Sequence, residues 1–369
     1  MSAEPKRRIA INTGGGDAPG LNAVIRASVL AAIGAGWECV GIRDGYNGLL
    51  DPGMDPEGGL MPLGRREVRG ITHLGGTILG TTNRGDPLAY PVRQEDGSWI
   101  EVDRSQELVD AFAAAGIDAL IAIGGDGSMR IASRLHQLGL PVVGVPKTID
   151  NDLEGTSVTF GFDTAVTFAT ECIDRLHTTA ESHDRLMVVE VMGRYAGWIA
   201  LHAGLAGSAD AILIPEIPFD LEPVAAKIAA REAAGQHFSI VVVAEGAHPK
   251  GGERSVIEDE PGRGRRLGGI GQRVAYELAE MTGKETRTVV LGHLLRGGGP
   301  TTHDRILSLR FGAAAIRALR EDCTGCMVAL DPPDVRYVPL EQVTGRMKCV
   351  PIDSDTVRTV RDLGISLGD

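Results

Sequence analysis

Six short apolar, β-branched runs recur along the chain, at residues 8–12, 119–123, 142–145, 186–191, 239–244 and 288–291, most of them running straight into glycine or a small polar residue. Strands covered on both faces lose the alternation of half-exposed ones, so these runs read as buried parallel strands. Between them lie helical patterns at 21–35, 106–115, 128–138, 164–178, 221–234, 270–281 and 304–319. Such alternation predicts an α/β fold built on doubly wound sheets. Ligands of these sheets sit outside the carboxyl ends of the strands, which makes the residues following each run the place to look for chemistry.

Length and composition narrow the field further. At roughly 100–200 residues per domain, the 369-residue chain is expected to form two domains. Its 50 glycines are too many for a helical bundle or coiled coil, and 43% apolar residues exclude disorder. With 37 basic against 49 acidic residues the formal net charge is −12, which argues against general attraction to nucleic acid or to an anionic membrane. Phosphate chemistry in such a chain has to be confined to a local basic pocket.

No apolar run approaches about 18 residues. The start, MSAEPKRRIAIN, enters a strand-like run and shows no signal peptide. Five irregularly spaced cysteines suit a reducing compartment, so a cytoplasmic protein is expected. Cys323 and Cys326 form a CxxC with no second ligand pair nearby, which reads as plain thiols before zinc or redox chemistry. Residues 51–63 and 253–266 read as long surface loops. The first half is rich in glycine, whereas the strand ends of the second carry most of the His, Arg and Glu. Two lobes facing a shared cleft would account for that division.

Three strand ends in the first half carry distinct chemistry. The first, TGGGDAPG at 13–20, opens a helix; glycines let the backbone approach a ligand closely, and free N–H groups at a helix start attract an anion such as phosphate. It has neither the GxGxxG nor the GxxxxGK[ST] spacing. The second, GGDGS at 124–128, holds one carboxylate among glycines, as suits Mg²⁺ shared with a substrate phosphate. The third, PKTIDND at 146–152, gathers two carboxylates, an amide, a hydroxyl and a lysine, so that one carboxylate can accept a proton while the other serves the metal. Asp150 is the candidate base. Taken singly, each segment also reads as a structural turn.

Together with VEVMGRYAGW, AEGAH and ETRTVVLGHLLRGG, these motifs, in this order and from about residue 8 to residue 320, resemble the phosphofructokinase family. The resemblance implies two Rossmann-like doubly wound domains with a cleft between them: residues 1–161 plus about 295–345 for ATP and Mg²⁺, and about 162–294 plus 346–369 for fructose 6-phosphate. It implies phosphoryl transfer to the sugar's 1-hydroxyl from ATP or, in some branches, pyrophosphate. Donor contacts fall on Gly15, Tyr46, Gly125, Gly127 and Ser128, with Asp126 as the magnesium carboxylate. Asp150 matches the general base, supported by Thr148 and Asp152. Met192, Gly193 and Arg194, Glu245, and the His293–Arg296 pair match the sugar-phosphate site. Arg185 and Arg287 match arginines that reach this site from a neighbouring subunit, which implies at least a homodimer and commonly a homotetramer. Arg84 matches an arginine bridging donor and acceptor phosphates, with Asn83 as the alternative.

Two positions bear on the donor. Pyrophosphate-using relatives carry Asp where this chain has Gly127, and Lys where it has Lys147. A carboxylate against the α-phosphate should exclude ATP, whereas a lysine need not, so ATP is the expected donor. Pyrophosphate-dependent transfer and a non-catalytic regulatory subunit are the competing readings; the latter has no chemical need for Asp150. GGDGS alone also occurs in lipid and NAD kinases, which give no account of the other motifs. At a position often basic in allosteric relatives stands His177, which reads as an exposed helix residue, with a pH-sensitive effector contact as the alternative.

Overall fold

The structure is a computed structural model that describes residues 7–54, 58–82, 85–94, 96–260 and 264–369, the side chains of 256–260 and 264–266 excepted. The chain begins with β1 (Arg8–Thr13), α1 (Leu21–Gly34), β2 (Glu38–Ile42), α2 (Asn47–Leu50), β3 (Leu60–Leu63), β4 (Tyr90–Arg93), β5 (Trp99–Val102), α3 (Ser105–Ala114), β6 (Ala119–Gly124), α4 (Asp126–Gln137) and β7 (Val142–Pro146). Next come α5 (Phe162–Ser182), β8 (Leu186–Val191), α6 (Trp198–Ala206), β9 (Ala211–Leu213), α7 (Leu221–Ala233), β10 (Ser239–Ala244), β11 (Val256–Glu260), β12 (Gly264–Leu267), α8 (Ile270–Thr282) and β13 (Thr286–Val290). It closes with α9 (Thr302–Arg320), β14 (Cys326–Asp331), β15 (Asp334–Pro339), α10 (Leu340–Val343) and α11 (Asp355–Asp362).

Two compact units result, one drawn from Met1–Thr148, Leu153–Gly161 and Arg296–Met347, the other from Ile149–Asp152, Phe162–Leu295 and Lys348–Asp369. The first holds a seven-stranded sheet in the order β15-β14-β7-β6-β1-β2-β3, parallel at its centre with antiparallel strands at both edges. Successive side chains of a strand point to opposite faces. In β1, Ile9 and Ile11 enter a core shared with Val24 of α1 and Phe311 of α9, while Ala10 enters another shared with Phe112 of α3 and Met129 of α4. Burial on both faces is why this run carries no polar alternation. Register then aligns three strand ends: Thr13 lies beside Ile123, and Gly124 beside Pro146.

The second unit has a four-stranded parallel sheet, β13-β8-β10-β9. Its central strands β8 and β10 are buried throughout, and Leu186, Val188, Val241 and Val243 pack with Val224 of α7 and Val274 of α8. Among the described residues no helix is long and apolar enough to cross a membrane.

The six expected strands are present, but the two expected surface loops are not loops throughout. The stretch 51–63 ends in β3, an antiparallel edge strand whose Pro62 needs no partner for a missing N–H. The stretch 253–266 contains most of the β11–β12 hairpin. An edge strand is paired on one side only, so it lacks the continuous apolar signature of a central one. His177 also departs from expectation: half-buried, it bonds through Nε2 to the Gly207 carbonyl at 2.7 Å and meets the Phe238 ring edge-on.

Helices α1 and α9 approach so closely that a Cβ on Gly312 would stand 2.5 Å from the Val24 carbonyl oxygen and 2.8 Å from the Ala27 Cβ. Gly312→Ala should therefore lower stability by about 1–3 kcal/mol in urea or thermal unfolding, although alanine gains about 1 kcal/mol of helix propensity over glycine.

Candidate active site

In the first unit the three aligned strand ends fold against one another. Gly14 donates its N–H to the Ile123 carbonyl at 2.9 Å, and Lys147 donates its own to the Gly124 carbonyl at 2.9 Å. Gly15 has a left-handed backbone, φ +75°, and its carbonyl accepts the Thr81 hydroxyl at 2.5 Å. The Lys147 side chain is buried, and its ammonium donates to the Gly16 carbonyl. Arg296 lies on the same turn, its Nη1 donating to the Asp17 carbonyl at 3.1 Å and lying 2.7 Å from where a Cβ on Gly16 would be.

GGDGS turns β6 into α4, with Gly125 as the cap and Asp126 in the first turn, where a carboxylate meets the positive end of the helix. Asp126 is exposed, and its Oδ1 accepts the Gly345 N–H at 3.4 Å. Ser128 is buried, its hydroxyl against two glycines: a Cβ on Gly124 would lie 2.0 Å from Ser128 Oγ, and one on Gly14 would lie 2.6 Å from it. Gly127 is different, since a Cβ there meets nothing within 4 Å.

Tyr46 is buried in the core, and desolvation pushes its phenol well above the usual tyrosine range. Thr148 accepts the Thr159 hydroxyl at its carbonyl, 2.7 Å away. Arg84 and its alternative Asn83 lie outside the described residues. Cys323 and Cys326 are free thiols with sulfurs 3.6 Å apart, and burial pushes Cys326 up to about 12.

The remaining motif residues fall mostly in the second unit. Asp150 and Asp152 flank Asn151, which is buried with φ +52°. At the ends of β8 and β10, Glu245 donates its N–H to the Val191 carbonyl at 2.9 Å and Gly246 donates to Gly193 at 3.1 Å, setting Glu245 beside Met192–Gly193–Arg194. Gly193 takes φ +142°, with room for a Cβ only 2.8 Å from the Ala196 carbonyl oxygen. Arg194 and Arg254 both approach the Tyr195 ring, 5.1 and 4.8 Å from its centroid. With His248, Gly252, Glu253 and Leu267 these three line a cavity of about 410 Å³. Tyr195, His248 and Arg254 were not singled out in the sequence; Tyr195 and His248 lie inside quoted motifs, whereas nothing local marks Arg254.

Arg185 and Arg287 are brought together on Glu285, the former at 2.9 Å. The Arg185 hydrogen bond is the main reason the Glu285 carboxyl sits below its usual range. His293 is exposed in the short 3₁₀ turn Gly292–Arg296, and falls in the second unit while Arg296 falls in the first. Glu216 is pushed up by burial although its carboxylate accepts the Gly197 and Val350 N–H groups.

Among the described residues no group of three or more His, Cys, Asp or Glu could cage a metal. Mg²⁺ does not require one: it keeps several waters and takes one or two carboxylates plus substrate phosphate, which the exposed Asp126 fits.

Comparison with known proteins follows this geometry. The family model Phosphofructokinase matches residues 8–319. The chain is 54% identical over 367 residues, covering 100% of itself and 99% of its relative, to the ATP-dependent 6-phosphofructokinase of Chloroflexus aurantiacus. It is 51% identical over 348 residues, 93% of itself and 96% of the relative, to the pyrophosphate–fructose 6-phosphate 1-phosphotransferase of Amycolatopsis methanolica. Among solved structures, phosphofructokinase from Saccharomyces cerevisiae aligns with TM-score 0.76 and 30% identity over 91% of this chain and 45% of that one. A pyrophosphate-dependent enzyme from Marinobacter aquaeolei aligns with TM-score 0.79 and 20% identity over 98% of this chain and 92% of its own, a likeness of fold.

The contact between Gly124 and Ser128 can be tested directly. Gly124→Ala should cost about 1–3 kcal/mol of stability in urea unfolding, because the new methyl meets Ser128 at its first two side-chain atoms. Adding Ser128→Gly removes both atoms and should restore most of the loss.

Proposed function

We propose that this chain, which belongs to the phosphofructokinase family, transfers a phosphoryl group from ATP to the 1-hydroxyl of fructose 6-phosphate, giving fructose 1,6-bisphosphate in glycolysis. The observation that carries the donor assignment is Gly127. The space around it is open, where an aspartate would project a carboxylate toward the α-phosphate. The buried Lys147 already gives its ammonium to the Gly16 carbonyl, so its charge also serves the fold. Relatives of both donor types are close in sequence, which keeps pyrophosphate as the second reading.

In the proposed mechanism most residues that contact the donor belong to the first unit and most that contact the sugar phosphate to the second, Arg296 of the first excepted. The glycine turn at Gly15 lets the donor approach the backbone closely, and the N–H groups of Gly125, Gly127 and Ser128 at the start of α4 receive its phosphates, as helix starts do. Tyr46 forms apolar support beneath the nucleotide. Mg²⁺, held by Asp126 with the phosphates, supplies charge neutralisation when bound. Asp150 takes the proton of the 1-hydroxyl, and Thr148 and Asp152 hold the turn and the acceptor in place. Arg194 stabilises charge on the transferring group. Met192, Gly193 and Glu245 hold the sugar, and His293 and Arg296 its 6-phosphate. A guanidinium has five N–H donors, so the one Arg296 spends on Asp17 leaves others for an anion. Arg185 and Arg287 complete the site of a neighbouring copy in a homodimer or homotetramer, and the enzyme works in the cytoplasm.

Initial rates of fructose 1,6-bisphosphate formation with Mg²⁺, run with ATP and with pyrophosphate, test the reading; turnover with ATP alone is expected, and turnover with pyrophosphate alone overturns the donor. Asp150→Ser should lower kcat by about 10²–10⁴-fold while fructose 6-phosphate still binds in calorimetry. Gly127→Asp should fold normally yet lose most turnover with ATP, as the same assay reads.

A further inference from the structure

Asn151 sits between the two candidate aspartates in a left-handed conformation, which Asn adopts more readily than other non-glycine residues. Contacts that hold this turn come from a segment almost 200 positions later. The Lys348 N–H donates to the Asp152 carbonyl at 2.9 Å, and its ammonium donates to Asn151 Oδ1 at 2.8 Å. Lys348 thus grips the turn by backbone and side chain together.

The same segment is fastened to the Arg194 strand end. The Lys348 carbonyl accepts the indole N–H of Trp198 at 2.8 Å, and the ammonium lies 5.9 Å from the Trp198 ring centroid. Two residues on, the Val350 N–H donates at 2.8 Å to Glu216, whose carboxylate also accepts the Gly197 N–H at 3.0 and 3.1 Å. Gly197 and Trp198 follow Arg194 by three and four residues. All these residues belong to the second unit.

We propose that Lys348 is a positioning residue: it fixes the Asp150–Asp152 turn relative to the Arg194 segment, so that the proton acceptor and the guanidinium keep one spacing. The inference rests on the reading of Asp150 as base and Arg194 as transition-state partner. A displacement of about 1 Å in a reacting group can cost on the order of 10²-fold in rate, and the proposed 6-phosphate pair, His293 and Arg296, is not among the residues that the Lys348 bonds named above reach. Its loss should therefore fall on kcat and spare KM.

Lys348→Met keeps the stem and removes the N–H donors, and Lys348→Arg keeps a cationic donor at similar reach. The expected result for Lys348→Met is a kcat lowered about 10–100-fold, with KM for fructose 6-phosphate and the melting temperature close to those of the unaltered chain. Lys348→Arg should recover part of the loss. Trp198→Phe, which takes the indole N–H from the Lys348 carbonyl together with part of the ring, should lower kcat in the same direction by a smaller factor. A raised KM at unchanged kcat, or a kcat loss that tracks a lowered melting temperature, overturns the positioning role. The unaltered chain measured alongside separates the two levels: if it fails to turn over with either donor, the functional reading falls and this inference with it, whereas an active chain whose Lys348→Met variant keeps full kcat overturns the inference alone.

Discussion

A buried ammonium is tolerated only where its N–H groups are satisfied, and Lys147 meets that condition by donating to the backbone of the glycine turn. Its own N–H reaches the end of β6. One residue just past β7, by side chain and backbone, thereby ties the first and second motifs to the third. The close approach of these three strand ends demands glycine at 14 and 124, where Ser128 leaves no room for a side chain. The turn geometry of the first unit follows from that junction.

The two units differ in what their strand ends carry. In the first, glycine turns dominate, with the exposed carboxylate of Asp126 at the start of α4 and empty space around Gly127. In the second, side chains dominate: Arg194 and Arg254 against Tyr195, and Arg185 with Arg287 on Glu285. This contrast matches the division in the sequence between a glycine-rich first half and a second half rich in charged strand ends.

The central strands were legible because burial on both faces writes an unbroken apolar run, as in β6 and β8. The edges were not. β3 carries a proline, β15 alternates with polar residues, and β9 has only three residues. Helix α6 was missed because WIALHAGLA is apolar almost all round, which erases the 3.6-residue period. Within the candidate site, motif residues could be named because their chemistry is local. Arg254 and Lys348 could not, because their meaning arises only when the fold brings them to Tyr195 and Asn151.

The path of the chain constrains how the protein is made. Neither unit is continuous: the first takes in Arg296–Met347, which contributes α9, β14 and β15, and the second ends with Lys348–Asp369. During synthesis β7 therefore waits as an open sheet edge until β14 emerges, and α1 waits for α9 before its apolar face is covered. Long-range pairings of this kind slow folding and leave sticky edges exposed meanwhile. A nascent chain paused before Arg296 already holds every residue of the second sheet's core, whereas both core clusters of the first unit still lack residues from Leu307 onward, so the first unit is the one most in need of protection by a chaperone.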